Sequence, residues 1–252
     1  MTLESGPFLR FGRLRFYLGN PGNVGPFHEI FFEQDYRCLT IRPNDIVLDA
    51  GANTGLFSIS VASRCRKVIA VEPSPEAFNL LKLNKRINKA TNVVLINKAL
   101  SDHDGYVTMA GDSATFKIEE HGIMISSTTI DSLLADLDVS VDVVKMDVEG
   151  AEMECLDGSY LQHVREIVVE THSSDKGVVR MLERQGFKAT KISFRVSRTL
   201  ASVLEGFPYF VGAEVATKFM VSRSTLRAFM RRQGLLLRER LPQFQIIYGC
   251  KP

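Results

Sequence analysis

From about residue 41 to residue 194, short apolar runs alternate with amphipathic stretches at the spacing of strands and helices in turn. Ile46 to Leu48 reads as a buried strand leading into Asp49, and Leu56 to Ala62 as the first helix, with Asn53 or Thr54 as its cap. Lys67 to Val71 is the second strand. Ser74-Pro75-Glu76 opens a helix: serine caps it, proline suits its first turn, and glutamate favours the positive end of its dipole. Leu80, Leu83 and Ile87 then share one face, and Asn92 to Ile96 is the third strand. Residues 101–127 break the rhythm; Tyr106 to Met109 and His121 to Ser126 read as extended hairpin segments around Gly105, Gly111 and Gly122. Thr128, with Asp131 three residues on, begins another helix. Val141 to Met146 is nearly all apolar, as expected of a central strand covered on both faces. Arg165 to Glu170 is a strand, Lys176 to Gln185 a helix closed by Gly186, and Phe187 to Phe194 and Phe244 to Tyr248 are the last strands.

This alternation predicts an α/β fold with a doubly wound, mostly parallel sheet, right-handed crossovers and an antiparallel last strand. Three parts are expected: an N-terminal extension or lid over residues 1–40, a core of 41–194 plus 244–252, and a helical insert at 195–243. The extension is rich in glycine, proline and aromatics, includes a short helix at His28 to Leu39, and is expected to pack over the open edge of the sheet. Composition changes this picture little, because 45% hydrophobic and 24% charged residues are ordinary for a globular chain of 252 residues. The four cysteines, Cys38, Cys65, Cys155 and Cys250, form no CxxC pair, which argues against a zinc knuckle or redox pair. The chain has neither a signal-like apolar core near its start nor an apolar run of spanning length, so a cytoplasmic location without a membrane span is expected.

In such sheets ligands bind outside the carboxyl ends of the strands, where Asp49, Glu72, Ala99, Asp147 and His172 all fall. The turn Asp49-Ala50-Gly51-Ala52-Asn53-Thr54-Gly55 joins a strand to a helix start, and its small residues let the backbone approach a ligand. A dinucleotide motif wants glycine where Asn53 and Leu56 stand. An acid before the first glycine suits an ammonium group, so S-adenosylmethionine fits better than a pyrophosphate. Glu72, about 20 residues on, is placed to accept hydrogen bonds from ribose hydroxyls, with Pro73 holding it extended. Ala99 and Asp102, after the third strand, fall where an adenine ring would lie. Asp147 and Glu149 leave the central strand beside the place of a reactive sulfonium. They are candidates to align an acceptor or take its proton, and His172 is a candidate general base. Asp147 and Glu149 could also hold Mg²⁺, but the sequence offers no complete ligand set and no metal site is assigned.

VLDAGANTG, VIAVEPSPEAFNLLKLN, NKALSD, TTIDSLL, VVKMDVEGAE and IVVETH occur in the order and spacing of the FkbM-type family, which this chain resembles from roughly His28 to Phe194 and in the last strand. The resemblance implies a Rossmann-like, class I, S-adenosylmethionine-dependent methyltransferase acting on hydroxyls of sugars, polyketides or similar small-molecule acceptors. It implies that Asp49, Gly51, Asn53 and Glu72 serve the cofactor and that Asp147 and Glu149 lie at the reaction centre.

The insert does not share the resemblance. Its nine basic and three acidic residues give it +6, leaving −4 for the rest of the chain. Leu226, Phe229 and Met230 form an apolar stripe on a helix that also carries Arg227, Arg231 and Arg232, in a rhythm like the helix-turn-helix of winged-helix DNA-binding proteins, with Met220 at the usual glycine of the turn. A helical cover over the substrate, a homodimer contact and a site for an anionic substrate or membrane surface also fit. The alternative function is nucleic-acid binding or RNA methylation.

Overall fold

The computed structural model describes residues 8–19, 30, 36–111, 116–172, 174–192 and 245–251. It opens with an antiparallel strand pair, β1 (Phe8–Phe11) and β2 (Leu14–Tyr17). Next come β3 (Ile46–Ala50), α1 (Leu56–Ala62), β4 (Lys67–Val71), α2 (Pro75–Ile87) and β5 (Val93–Ile96). A smaller group follows: β6 (Ala99–Leu100), β7 (Gly105–Ala110), β8 (Lys117–Ile118) and β9 (Ile123–Thr128). The chain then returns through α3 (Ile130–Asp136), β10 (Val143–Met146), α4 (Glu152–Cys155), β11 (Glu166–Thr171), α5 (Asp175–Arg184), β12 (Lys188–Ile192) and β13 (Gln245–Cys250).

The main sheet has seven strands in the order β12-β13-β11-β10-β3-β4-β5. Strands β5 to β11 of that order run parallel, and β13 runs antiparallel to both β11 and β12. From β3 the chain winds outward to β4 and β5, then returns to the other side of β3 for β10 and β11. That reversal opens a crevice at the carboxyl ends of β3 and β10. Every residue of β3 and β10 is buried, as a strand covered on both faces requires. Leu48, Val144, Met146, Ile167 and Val169 point to one core with α3, α4 and α5, while Val47, Val68, Val143 and Val168 point to another with α1. Each large side chain so buried is worth about 2 kcal/mol. The second sheet, in the order β6-β9-β7-β8, stands at the mouth of the crevice.

Several local expectations change. α1 has no side-chain cap from Asn53 or Thr54; Gly55, at φ 85, is its N-cap. α3 starts one residue later than the sequence suggests. Thr128 is still paired in β9, and Thr129 is the cap, accepting from the Ser132 amide. The described parts of the N-terminal extension add no strand to the main sheet. β2 lies along α2, where the Tyr17 amide donates to Asn84 Oδ1 at 2.7 Å and the Arg15 amide to Asn88 Oδ1 at 2.9 Å. Farther on, the Tyr36 hydroxyl donates to Glu170 and the Thr40 amide to Glu166, both on β11. Carboxylates and amides on the sheet face and on α2 thus supply partners that a loop-rich segment needs. Most of His28 to Leu39 and all of 195–243, with its helix-turn-helix reading, lie outside the described residues. Among the described residues, no helix is long and apolar enough to cross a membrane, and all four cysteines are free thiols.

Candidate active site

The turn after β3 is built on left-handed backbone at Gly51 (φ 76), Asn53 (φ 48) and Gly55 (φ 85). The Gly51 and Ala52 amides both donate to the Val71 carbonyl, at 3.0 and 2.9 Å, tying the turn to the end of β4. A Cβ on Gly51 would lie 1.7 Å from the Asp147 carbonyl oxygen, so the turn and the β10 tip touch as only glycine allows. A Cβ on Gly55 would strike Leu81 at 2.3 Å, so this glycine serves the contact of α1 with α2 and does not border the crevice. Ala52 is buried in the core beside it.

Glu72 is 5% exposed at the tip of β4. Its Oε2 accepts the Asn53 amide at 2.7 Å and its Oε1 the Ser74 amide at 2.8 Å. Burial outweighs these bonds and pushes its pKa up to about 7. Each oxygen keeps a lone pair for a further donor.

Beneath the turn is a buried ion pair that the sequence pattern hides. Lys145 pairs in register with Asp49 across β10 and β3, and their side chains are 5% and 0% exposed. The ammonium donates to the Gly51 carbonyl at 2.7 Å and lies 3.4 Å from Asp49 Oδ1 and 3.6 Å from Asp147 Oδ2. It also faces the Tyr36 ring, 5.6 Å from its centroid. Burial lowers the Lys145 pKa, but the charges of Asp49, Asp147 and Glu170 overcome that and raise it. Asp49 takes a 2.6 Å bond from the Ser58 hydroxyl, and burial raises its pKa. It therefore braces the turn from behind and does not line the crevice. The signal for this pair was a lysine inside one apolar run matched by an aspartate inside another.

On the far side of Asp147, His172 sits among carboxylates: Nδ1 is 3.4 Å from Glu152 and 4.0 Å from Asp147, and Nε2 is 3.7 Å from Glu149. Burial disfavours the imidazolium, but the Glu152 bond and the charges of Glu149, Asp147 and Glu170 raise its pKa to about 9. Glu149 holds a left-handed backbone at φ 50, a strain of about 1 kcal/mol that sends its carboxylate toward the crevice. Burial raises its pKa, with His172 opposing. Glu152 is fully buried, and it also accepts the Gly150 amide at 2.8 Å.

An open crevice joins these parts. Gly51, Asn53, Glu72, Pro73 and Ala99 border it on one side and Asp147 and Glu149 on the other, with Phe116, Met109 and Ile118 of the second sheet as an apolar wall. His172 flanks Glu149 without bordering the main space. Asp102 does not reach it; that side chain is exposed and pairs with His103 at 2.7 Å. Asp49 Oδ1, Asn53 Oδ1, Thr54 Oγ1 and Asp147 Oδ1 are sealed from solvent and accept no hydrogen bond among the described residues. Asp49 and Thr54 lie behind the crevice, but Asn53 and Asp147 border it with the carboxylates of Glu72 and Glu149, and such acceptors suit a ligand that carries donors or positive charge.

The model of the methyltransferase FkbM domain matches residues 49–189. The chain is 26% identical over 212 residues to methyltransferase sdnD of Sordaria araneosa, covering 66% of this chain and 82% of that one. It is 29% identical over 181 residues to the hexuronic acid methyltransferase AglP of Haloferax volcanii, covering 67% of this chain and 75% of the relative. Among solved structures, a methyltransferase FkbM from Methylobacillus flagellatus superposes with a TM-score of 0.51 at 13% identity, over 70% of this chain and 48% of that chain. At that identity the likeness concerns the fold.

Proposed function

The chain belongs to the FkbM methyltransferase domain family, and from that premise we propose that it transfers the methyl group of S-adenosylmethionine to a hydroxyl oxygen of a sugar or another small metabolite. The observation that carries this reading is the single crevice in which Gly51, Asn53 and Glu72 face Asp147 and Glu149. S-adenosylmethionine fits its acceptor-rich lining, having an ammonium, a sulfonium, two ribose hydroxyls and an adenine amino group to offer. Gly51 and Asn53 take the amino-acid end and Glu72 the ribose diol. Pro73 and Ala99 border the adenine, with Asp49 and Lys145 bracing the turn from below.

Bound there, S-adenosylmethionine supplies an electrophilic methyl group. Transfer forms the carbon–oxygen bond as the carbon–sulfur bond breaks with its electron pair going to sulfur, and the acceptor's proton must leave. Glu149 takes that proton: its carboxylate borders the crevice, and burial raises its proton affinity. His172, with a pKa of about 9, is an imidazolium at neutral pH. It therefore orients Glu149 and Asp147 rather than serving as the base that the sequence suggests. The relative named for hexuronic acid supports a sugar-like acceptor.

Calorimetric titration with S-adenosylhomocysteine tests the reading. Ribose hydroxyls bind an ionised Glu72 best, and its pKa is about 7, so affinity is expected to rise from pH 6 to pH 8. Glu72→Gln should weaken binding about ten- to a hundredfold and flatten that dependence. A folded protein that binds no S-adenosylhomocysteine at any of these pH values would refute the proposal.

A further inference from the structure

Asp147, just past β10, and Glu170 and His172, at the end of β11, bring two carboxylates and an imidazole together. One ligand atom of each lies within 4.8 Å of the others. We propose that these three side chains form a binding site for a divalent first-row metal ion, beside Glu149.

The spacing is close to what an ion needs. Nitrogen and oxygen ligands about 2.0–2.2 Å from one centre stand roughly 3–4 Å apart when three share it, so closure takes side-chain shifts of about an ångström. The donor types agree, since a mixed imidazole and carboxylate set without sulfur suits Mn²⁺, Fe²⁺ or Zn²⁺. The ligands are also held from behind. The Tyr36 hydroxyl donates to Glu170 Oε2 at 2.8 Å, and Glu152 Oε1 lies 3.4 Å from His172 Nδ1. Such outer contacts fix the orientation of metal ligands.

Two further observations point to a cation. Asp147 Oδ1 is sealed from solvent and accepts no hydrogen bond among the described residues, although its environment is crowded with charge. Asp147, Glu149, Glu152 and Glu170 surround His172, and among the described residues Lys145, which faces the same carboxylates, is already committed to the Gly51 carbonyl and to Asp49. A divalent ion would bring positive charge to this group of carboxylates. The ion's task, though not its binding, rests on the methyl-transfer reading: it would ligate the acceptor's hydroxyl oxygen and lower its proton affinity, and Glu149 would take the proton.

The test is to strip the full chain with a chelator, remove the chelator by dialysis and titrate with MnCl₂, following free Mn²⁺ by electron paramagnetic resonance. One saturable Mn²⁺ per chain is expected, with affinity falling about tenfold or more in both Glu170→Gln and His172→Ala. Circular dichroism establishes that each variant is folded; Glu170→Gln keeps the size of the side chain and an acceptor for Tyr36. Absence of saturable binding in the folded wild type overturns the site, as does wild-type affinity in both variants. If S-adenosylhomocysteine binds and Mn²⁺ does not, the metal site fails while the methyl-transfer reading stands. Mn²⁺ binding without S-adenosylhomocysteine supports the site and removes that reading.

Discussion

Lys145 and His172 are cations held against the carboxylates of the site, and each makes a different mark on stability. Lys145 is almost wholly buried between Asp49 and Asp147. Lys145→Met would leave Asp49 charged in the core without its counterion, a change that costs about 3–5 kcal/mol. Adding Asp49→Asn should restore part of that loss, and denaturant unfolding of the two single variants and the double variant measures the coupling. His172 acts through pH. In the metal-free chain its proton is held more tightly in the folded state, with a pKa raised from 6.5 to about 9. The stabilisation is therefore fully present below about pH 6.5 and lost as pH rises through about 9, a change of at most about 3 kcal/mol. His172→Gln is expected to flatten this part of the stability profile, read as urea midpoints at pH 6 and pH 9.5. A wild-type midpoint equal at both values would contradict the charged cluster.

At the scale of elements, the polar side chains of α2 decide how the β1–β2 pair attaches. Asn84 is fully buried: its amide nitrogen donates to the Tyr17 and Thr54 carbonyls, at 2.9 Å each, and its oxygen accepts the Tyr17 amide. One side chain thus fastens β2 and the turn before α1 to α2. Asn84→Ala leaves these buried groups unpaired, costing about 2–3 kcal/mol. Hydrogen exchange should speed up in residues 14–18 before the sheet is affected. The same contacts explain which elements the sequence revealed. Strands β3, β4, β10 and β11 were legible because their apolar runs are covered on both faces, and α2 because Ser74 caps it with a proline behind. β1 and β2 were not, because their partner is a helix far along the chain and the local signal is glycine and aromatics. Thr128 and Thr129 are equivalent as caps in sequence; only the pairing of Thr128 with Leu100 separates them. Asp49 and Glu72 were found at strand ends, but the strand register that sets Lys145 behind Asp49 is a property of the assembled sheet.

For the whole molecule, the decisive fact is that the last strand enters the sheet between two earlier ones. β13 pairs with β11 and β12, burying Ile246 and Ile247, and Ile192 stands opposite Ile246. The chain leaves β12 and re-enters at β13 at neighbouring points, so residues 194–244 connect two adjacent antiparallel strand ends, a gap that a short turn can close. Replacing 194–244 with an Asn-Gly turn and short flanks is expected to leave the sheet intact. Thermal unfolding should remain cooperative, and S-adenosylhomocysteine should bind with wild-type affinity, since the crevice residues lie between 51 and 151. Ending the chain at residue 192 should instead abolish cooperative unfolding. It removes the partner of β12 and uncovers the hydrogen-bonding edge of β11, and with it go the buried side chains of Ile246 and Ile247 at about 2 kcal/mol each. Far-ultraviolet circular dichroism melts of the two shortened chains, run side by side, separate the contribution of the strand from that of the basic segment before it. If the turn-closed chain binds S-adenosylhomocysteine but no longer methylates an acceptor that the full chain accepts, the basic segment belongs to acceptor recognition. If it does not fold, the connection is part of the core, and the hairpin reading of residues 192–246 is wrong.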